Sequence, residues 1–345
     1  MVLGNNKKFI YRGCIHIHSE KSDGSGDINE ITKCAKKSGL DWVVITDHNY
    51  YDLDEGIYNG IYVIKGEEIS PENGNHYLAF DINELIKVSD NPQTYIDEVH
   101  SQGGFGFSAH PDECLDRKNK YPALRWDKAY IPDGVEIWNW FSSWGDKLNS
   151  QNIFTLMYSF LFKNSLVKFA TQDTLNWWDK LNLNSEKIVP AIGGVDAHAL
   201  KIKDYVIPVT VFPYKAMFKT IQNLLEINEP LSKDFQKAKK QILNAIKNGN
   251  NIIVNNSVTK EIPTFYIQNA QHLRSSGEVI KLDIQTYLNV ELNQKMQIRI
   301  VWNGQEFHRC FGKNCRLYLS EVGKYRVELY LKDRAFAYSN PIIVV

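Results

Sequence analysis

The chain has no excess of either charge sign: 40 Lys plus Arg stand against 40 Asp plus Glu in 345 residues. That balance leaves no net field to draw the protein onto nucleic acid or an anionic membrane surface, so any charge-driven recognition is local. It also has no apolar run near the roughly 20 residues a membrane span needs. The opening "MVLGNNKKFIYRG" lacks the apolar stretch of a signal peptide, and the expected location is the cytoplasm. Cysteine is scarce. The five residues, at 14, 34, 114, 310 and 315, include no C-x-x-C pair, which excludes a zinc ribbon and a disulfide framework. Cys310 and Cys315 in "CFGKNC" read as two free thiols flanking a turn, with a hairpin disulfide as the alternative in an oxidising setting.

What is present is the composition of an ordinary globular protein, 43% hydrophobic and 23% charged, at a length suited to two domains. Over the first 250 residues or so, short β-branched runs alternate with helical segments, the signature of βα units around a mainly parallel sheet. Candidate strands lie at 10–17, 42–46, 61–69, 105–109, 134–138, 188–195 and 206–212. "DINEITKCAKKSG" predicts a helix with Asp27 as N-cap, Glu30 completing a capping box and Gly39 at the exit. "NPQTYIDEVHSQGG" repeats the pattern with Asn91, Pro92 and Gly103. Residues 140–187 form an aromatic-rich insertion, either a buried helix pair or a lid. Amphipathic helices are expected at 215–228 and 233–248. From 253 onward the alternation is that of strands with turns at Asn303-Gly304 and Val322-Gly323. The division is therefore a barrel over 1–252 and a small all-β sandwich over 253–345.

Parallel α/β folds place their active sites at the C-terminal ends of the strands. Six of the nine histidines fall there: His16 and His18, His48, His76, His110 and His198. Asp23, Asp47, Glu67, Glu68, Glu136 and Asp196 arrive at the same ends. In a strand, alternate residues share a face, so His16 pairs with His18, and Asp196 with His198. So many imidazoles and carboxylates at one end of a sheet would repel if protonated and be costly to bury unpaired. Bound cations resolve that conflict. Imidazole and carboxylate without thiolate suit Zn, Mn or Fe, and about nine ligands suit two or three ions. His100, His272 and His308 lie elsewhere.

"HIHSEKSDG", "ITDHN", "KGEEIS", "SAHP" and "GGVDAH", in this order, resemble the motifs of the PHP (polymerase and histidinol phosphatase) family of metal-dependent phosphoesterases. The resemblance covers roughly residues 10–200, and the C-terminal tail resembles one branch with an appended β domain. It implies a distorted (β/α)7 TIM-like barrel with a di- or trinuclear site. By that likeness His16, His18, Asp196 and a bridging Glu68 hold one ion, and Glu68, His76 and His110 a second. Asp23, His48 and His198 hold a third. The family's Gly-x-Glu pattern selects Glu68 over Glu67, which should face the other way.

Three acidic ligands around two or three divalent ions leave a net charge of about +1 to +3, which favours an anionic substrate. The expected reaction is hydrolysis of a small phosphomonoester or phosphodiester by a metal-bridging hydroxide. Carboxylic or carbamate ester hydrolysis at the same site is the alternative, for which Trp138, Trp140, Trp144, Trp177 and Trp178 could line an apolar pocket. A metal-stabilised, non-enzymatic binding scaffold is the third reading. Leaving-group protonation falls to a metal-bound water or an unassigned side chain, and no phosphate clamp stands out among Lys65, Arg117, Lys118 and Lys120.

Overall fold

The structure, a computed structural model, describes residues 2–3, 6–113, 124–148, 167–202 and 209–345. Cys114, Arg117, Lys118, Lys120 and parts of the aromatic insertion and of the 206–212 segment lie outside the described residues.

The chain folds as a mixed α/β protein built on one large sheet with few helices. Strand β1 (Phe9–Ile17) is its axis. Asp27 begins helix α1 (Ile28–Lys37) by accepting the Glu30 N–H at 2.7 Å, and Gly39 leaves it at φ +74°. Strand β2 (Trp42–Ile45) follows, then β3 (Ile61–Lys65), β4 (Glu67–Ile69) and β5 (Tyr77–Phe80). Helix α2 (Pro92–Ser101) has its expected Asn91 cap, accepting the Gln93 N–H at 3.0 Å, and leads to β6 (Phe105–Ser108). Strand β7 (Gly134–Asn139), helices α3 (Trp140–Leu148) and α4 (Gln172–Leu183), and β8 (Ala191–Ala197) complete this part.

β1 pairs in parallel with β2 on one side and with β8 on the other, while β2–β3, β6–β7 and β7–β8 are also parallel. The ladder is mainly parallel, as expected, with antiparallel pairings at one strand. β5 runs antiparallel to both β4 and β6, and Gly66 interrupts the strand between β3 and β4. Only the isolated bridge His48–Glu68 continues the β2–β3 alignment past that glycine.

The N-terminal half of β1 belongs to a second ladder. It pairs antiparallel with β9 (Ile221–Ile227), from Phe9↔Ile227 to Gly13↔Asn223. Here the expected helix over 215–228 is corrected: only Tyr214–Met217 is helical, and "IQNLLEI" is a fully buried strand. The short apolar run is ambiguous between helix and strand by periodicity, and the open edge of β1 decides it. Asn223 in this run is satisfied by β8, accepting the Gly193 N–H at 3.0 Å and donating to the Gly193 carbonyl at 2.7 Å.

Helix α5 (Phe235–Lys247) is capped by Asp234. Strand β10 (Asn251–Asn255) straddles the expected division at 252/253 and pairs with β9 on one side. The longer strands that follow are β11 (Thr264–Gln268), β12 (Tyr287–Trp302), β13 (Gln305–Tyr318), β14 (Gly323–Leu331), β15 (Arg334–Ser339) and β16 (Ile342–Val344). β15 bonds β10, so the hydrogen bonds run unbroken from β1 into the C-terminal strands. Asn303 and Gly304, at φ +48° and +78°, make the expected hairpin turn between β12 and β13. Cys310 and Cys315 do not flank a turn; both lie within β13.

The five tryptophans offered as pocket lining are buried in the largest apolar core. α4 is tied to the C-terminal strands by Arg326, buried in β14, which donates to Asp179 at 2.7 and 2.9 Å and also pairs with Glu328. No helix among the described residues is long and apolar enough to cross a membrane.

Candidate metal centre

The C-terminal ends of β1, β2, β4, β6 and β8 and the segments that follow them bring all nine expected residues together. Glu68 on β4 is the hub: fully buried, with five imidazoles around one carboxylate. Its Oε2 lies 3.1 Å from His16 Nε2, 3.2 Å from His18 Nε2 and 3.1 Å from His48 Nδ1. Its Oε1 lies 2.8 Å from His76 Nδ1 and 3.2 Å from His110 Nε2. Asp196 Oδ1 is 3.2 Å from His18 Nε2 and 3.5 Å from both His16 Nε2 and His198 Nδ1. Asp23, the exposed acid of "SDG", is 3.3 Å from His198 Nε2, 3.7 Å from His18 Nδ1 and 3.8 Å from His48 Nε2. Glu67 points away as expected, its carboxylate accepting the Ile86 N–H at 2.9 Å, and burial pushes it up to about 7.

The local chain geometry is unusual in a consistent way. His16, His110 and Asp196 are non-glycine residues at φ +66°, +28° and +54°. Left-handed backbone at such residues costs on the order of 1–3 kcal/mol each and persists only where its surroundings impose it. The β1–β8 register also shifts between Gly194 and Ala197. The side chains of His16, His18 and Asp196 therefore converge through paired irregularities rather than by simple alternation.

The loop that carries Asp23 is held by Asp47, which accepts the Ser19 N–H at 2.7 Å and the Ser19 and Ser22 hydroxyls at 2.6 Å. Gly24 ends the loop because a Cβ there would lie 2.2 Å from the His18 carbonyl oxygen. The Tyr214 hydroxyl donates to that same carbonyl at 2.7 Å.

The far nitrogens of the rings have partners of their own. Glu136 on β7 accepts the His16 Nδ1–H at 2.9 Å, and also the His110 backbone N–H at 2.7 Å. Asn139 donates to Glu136 at 3.1 Å and to Asp196 at 3.3 Å. Ser70 Oγ donates to the Glu68 carbonyl at 3.0 Å and so accepts from His48 Nδ1 at 2.6 Å. His198 Nδ1 donates to the Asp196 carbonyl at 3.0 Å. In a neutral ring each of these contacts takes the Nδ1 proton and leaves Nε2 as the free nitrogen of His16, His48 and His198, the arrangement that orients imidazole ligands.

The fit to cations can be tested on these atoms. Once Nδ1 gives its hydrogen to Glu136, His16 Nε2 faces a Glu68 oxygen at 3.1 Å, a contact that requires either a second proton or a shared cation. Both ring nitrogens of His18 are buried with acidic oxygens near them, yet neither meets hydrogen-bond geometry. Donors bonded to one ion at about 2.1 Å stand about 3.0–3.4 Å apart, which is the spacing around Glu68. Protons can take their place at some of these rings but not at all of them. Although burial opposes it, Asp196 and Glu68 raise His18 to about 9, and Glu113 and Glu68 raise His110 to about 10. Burial, with His18 and His76 nearby, drops His48 to about 4 against the pull of Glu68 and Asp23. Burial opposes ionisation of Glu68 and Asp196, but the surrounding histidines hold both below the usual carboxylate range. The protein atoms alone thus leave acids charged beside rings that cannot all be cationic. Four clusters could each hold an ion: His16–His18–Asp196, His16–Glu68–His110, His48–Glu68–His76 and His18–Asp23–His48–His198.

Glu136 appears in the sequence as a strand-end acid, but its role behind His16 was not assigned there. The one signal for it is the "GG" of "GGVDAH": a Cβ on Gly194 would fall 1.6 Å from Glu136 Oε1. One wall of the site is aromatic, with the Phe141 ring centred 5.4 Å from that of His198.

No protein-family profile matches the chain. The "Uncharacterized protein MJ1587" of Methanocaldococcus jannaschii is 30% identical over 143 residues, 36% of this chain and 80% of that protein. Among solved structures, a Bacteroides vulgatus protein described as "a two-domain protein containing predicted PHP-like metal-dependent phosphoesterase" covers 97% of this chain and 95% of its own, with 13% identity and a TM-score of 0.48. PsfC from Pseudomonas syringae covers 69% of this chain and 96% of its own, with 14% identity and a TM-score of 0.39.

Proposed function

We infer that the chain, which belongs to the same family as the Methanocaldococcus jannaschii protein MJ1587, is an enzyme that works through bound metal ions. We propose that it is a PHP-like metal-dependent hydrolase that cleaves small phosphomonoesters or phosphodiesters. The observation that carries this reading is Glu68, a fully buried carboxylate whose two oxygens lie 2.8–3.2 Å from five imidazoles. The distorted (β/α)7 barrel belongs to the same proposal, supported by the parallel pairings of β1 with β2 and β8.

His16, His18, Asp196 and Glu68 would hold one ion and Glu68, His76 and His110 a second. Asp23, His48 and His198 would hold a third, for which His48 is suited because Ser70 occupies its Nδ1. Zn, Mn or Fe fits the nitrogen-rich donor set. When bound, the ions supply Lewis acidity toward ester oxygens and a hydrolytic water of lowered pKa. The chain's own contribution is orientation. Glu136, Ser70 and the Asp196 carbonyl fix the tautomers and planes of His16, His48 and His198, while Asp47 holds the loop that carries Asp23. A site with three acids and at least two divalent ions attracts an anionic ester.

Carboxylic or carbamate ester hydrolysis is the second reading, favoured by the aromatic wall of Phe141 beside His198. The deciding experiment compares p-nitrophenyl phosphate, its bis ester and p-nitrophenyl acetate on protein loaded with Mn or Zn. Metal-dependent release from either phosphate ester supports the proposal. Release from acetate alone supports the second reading. Metal-dependent stabilisation with no turnover of any ester points to a binding scaffold.

A further inference from the structure

Outside this centre, strand β13 carries a second cluster with different chemistry. A ring nitrogen of His308 and the sulfurs of Cys310 and Cys315 lie within 4.8 Å of one another, and both cysteines are free thiols. His308 and Cys310 are two residues apart on one strand and so share a face. Cys315, five residues beyond Cys310, would face the other way on a regular strand.

It does not, because the β12–β13 ribbon is irregular between them. The pairing steps from Met296↔Gly312 to Glu291↔Asn314, so four residues of β12, 292–295, are spanned by one residue of β13. The irregularity brings Cys315 onto the side of His308 and Cys310, toward the apolar core that contains Ile298, Ile300 and Val290. Those three residues are also the cross-strand partners of Cys310, His308 and Cys315, so the facing strand offers apolar side chains at these positions. Phe311, between the cysteines, points outward and is 72% exposed.

We propose that His308, Cys310 and Cys315 form a binding site for a thiophilic cation, zinc(II) foremost, that ties together the two sides of the irregularity in the β12–β13 ribbon. Two sulfurs and an imidazole are the soft donor set that selects zinc over magnesium or calcium, and ligand atoms on a tetrahedral zinc stand about 3.4–3.8 Å apart. Binding releases the two thiol protons to solvent as the two sulfur–metal bonds form. The sequence rule that excludes a zinc ribbon rests on C-x-x-C spacing and does not see this arrangement, which arises from the strand irregularity.

Cobalt(II) is the probe, because sulfur bonded to cobalt gives a near-ultraviolet charge-transfer band that nitrogen and carboxylate donors do not. The metal-free, reduced full-length protein should develop that band as cobalt is added beyond what the nitrogen and oxygen centre takes up, and lose it when zinc is added. C310S and C315S should each abolish it. H16A, which alters only the nitrogen and oxygen centre, should keep it. Because a serine at buried Cys315 carries a risk of unfolding, H308Q is the second variant: it should shift the band and weaken cobalt binding at least the roughly tenfold that loss of an outer-shell partner costs. The proposal is overturned if no sulfur band forms, if the band survives in both cysteine variants, or if the mass of the protein as purified shows Cys310 and Cys315 joined as a disulfide.

Discussion

His16 lies between two carboxylates, its Nδ1 2.9 Å from Glu136 and its Nε2 3.1 Å from Glu68, and all three side chains are buried. An imidazole has one proton to give when neutral, and Glu136 takes it. The other nitrogen then meets an acid across a gap suited to a shared cation.

Glu136→Gln keeps the shape but can present its amide N–H to His16 Nδ1, disturbing the tautomer. The expected result is a loss of metal affinity of roughly 10–100-fold. Competition with a fluorescent zinc chelator measures it. An unchanged dissociation constant with unchanged pH dependence would mean that Glu136 is only filling space.

Gly194→Ala places a methyl group 1.6 Å from the present position of Glu136 Oε1. Glu136 has to move, so the variant should combine a stability loss of about 1–3 kcal/mol with the same fall in metal affinity. Denaturant unfolding without metal and chelator competition on the folded protein separate the two effects. Loss of stability with full affinity would show that Glu136 can move without releasing His16.

Much of this was legible from sequence. The caps at Asp27 and Asn91 are where side-chain chemistry puts them, because a helix end must satisfy its free N–H groups whatever it packs against. The convergence of His16, His18 and Asp196 was legible as a pattern but not as a mechanism, since it depends on left-handed backbone at His16 and Asp196 and on a register shift between β1 and β8. The same kind of tertiary cause made a strand of "IQNLLEI", where the edge of β1 outweighed local periodicity. It also brought Cys315 beside Cys310, because four residues of the partner strand, far along the chain from either cysteine, set the irregularity. Glu136 was visible as an acid at a strand end, but the ring it supports is 120 residues away.

The β9 strand also carries a titratable group outside the centre. Glu226 is buried, and burial raises it to about 7, with Glu278 adding to the rise, against the pull of Lys8, the Ser275 hydroxyl and the Ser276 N–H. An acid whose folded pKa is raised holds its proton longer in the folded state. Its contribution is therefore fully present below its unfolded value of 4.5 and is lost as pH rises through about 7. Metal-free wild type should lose stability relative to Glu226→Gln between about pH 5 and 8, by at most on the order of 3 kcal/mol. Urea unfolding at several pH values checks this, and parallel curves for the two proteins would contradict it.

Equilibrium dialysis against manganese or zinc, with elemental analysis of the retained protein, tests the central claim most directly. It should be run on Cys310→Ser protein so that sulfur ligation does not contribute. Two or three ions should remain per chain, falling by at least one in Glu68→Ala. Retention of none, or the same count with and without the Glu68 carboxylate, would contradict an imidazole and carboxylate cage built around it.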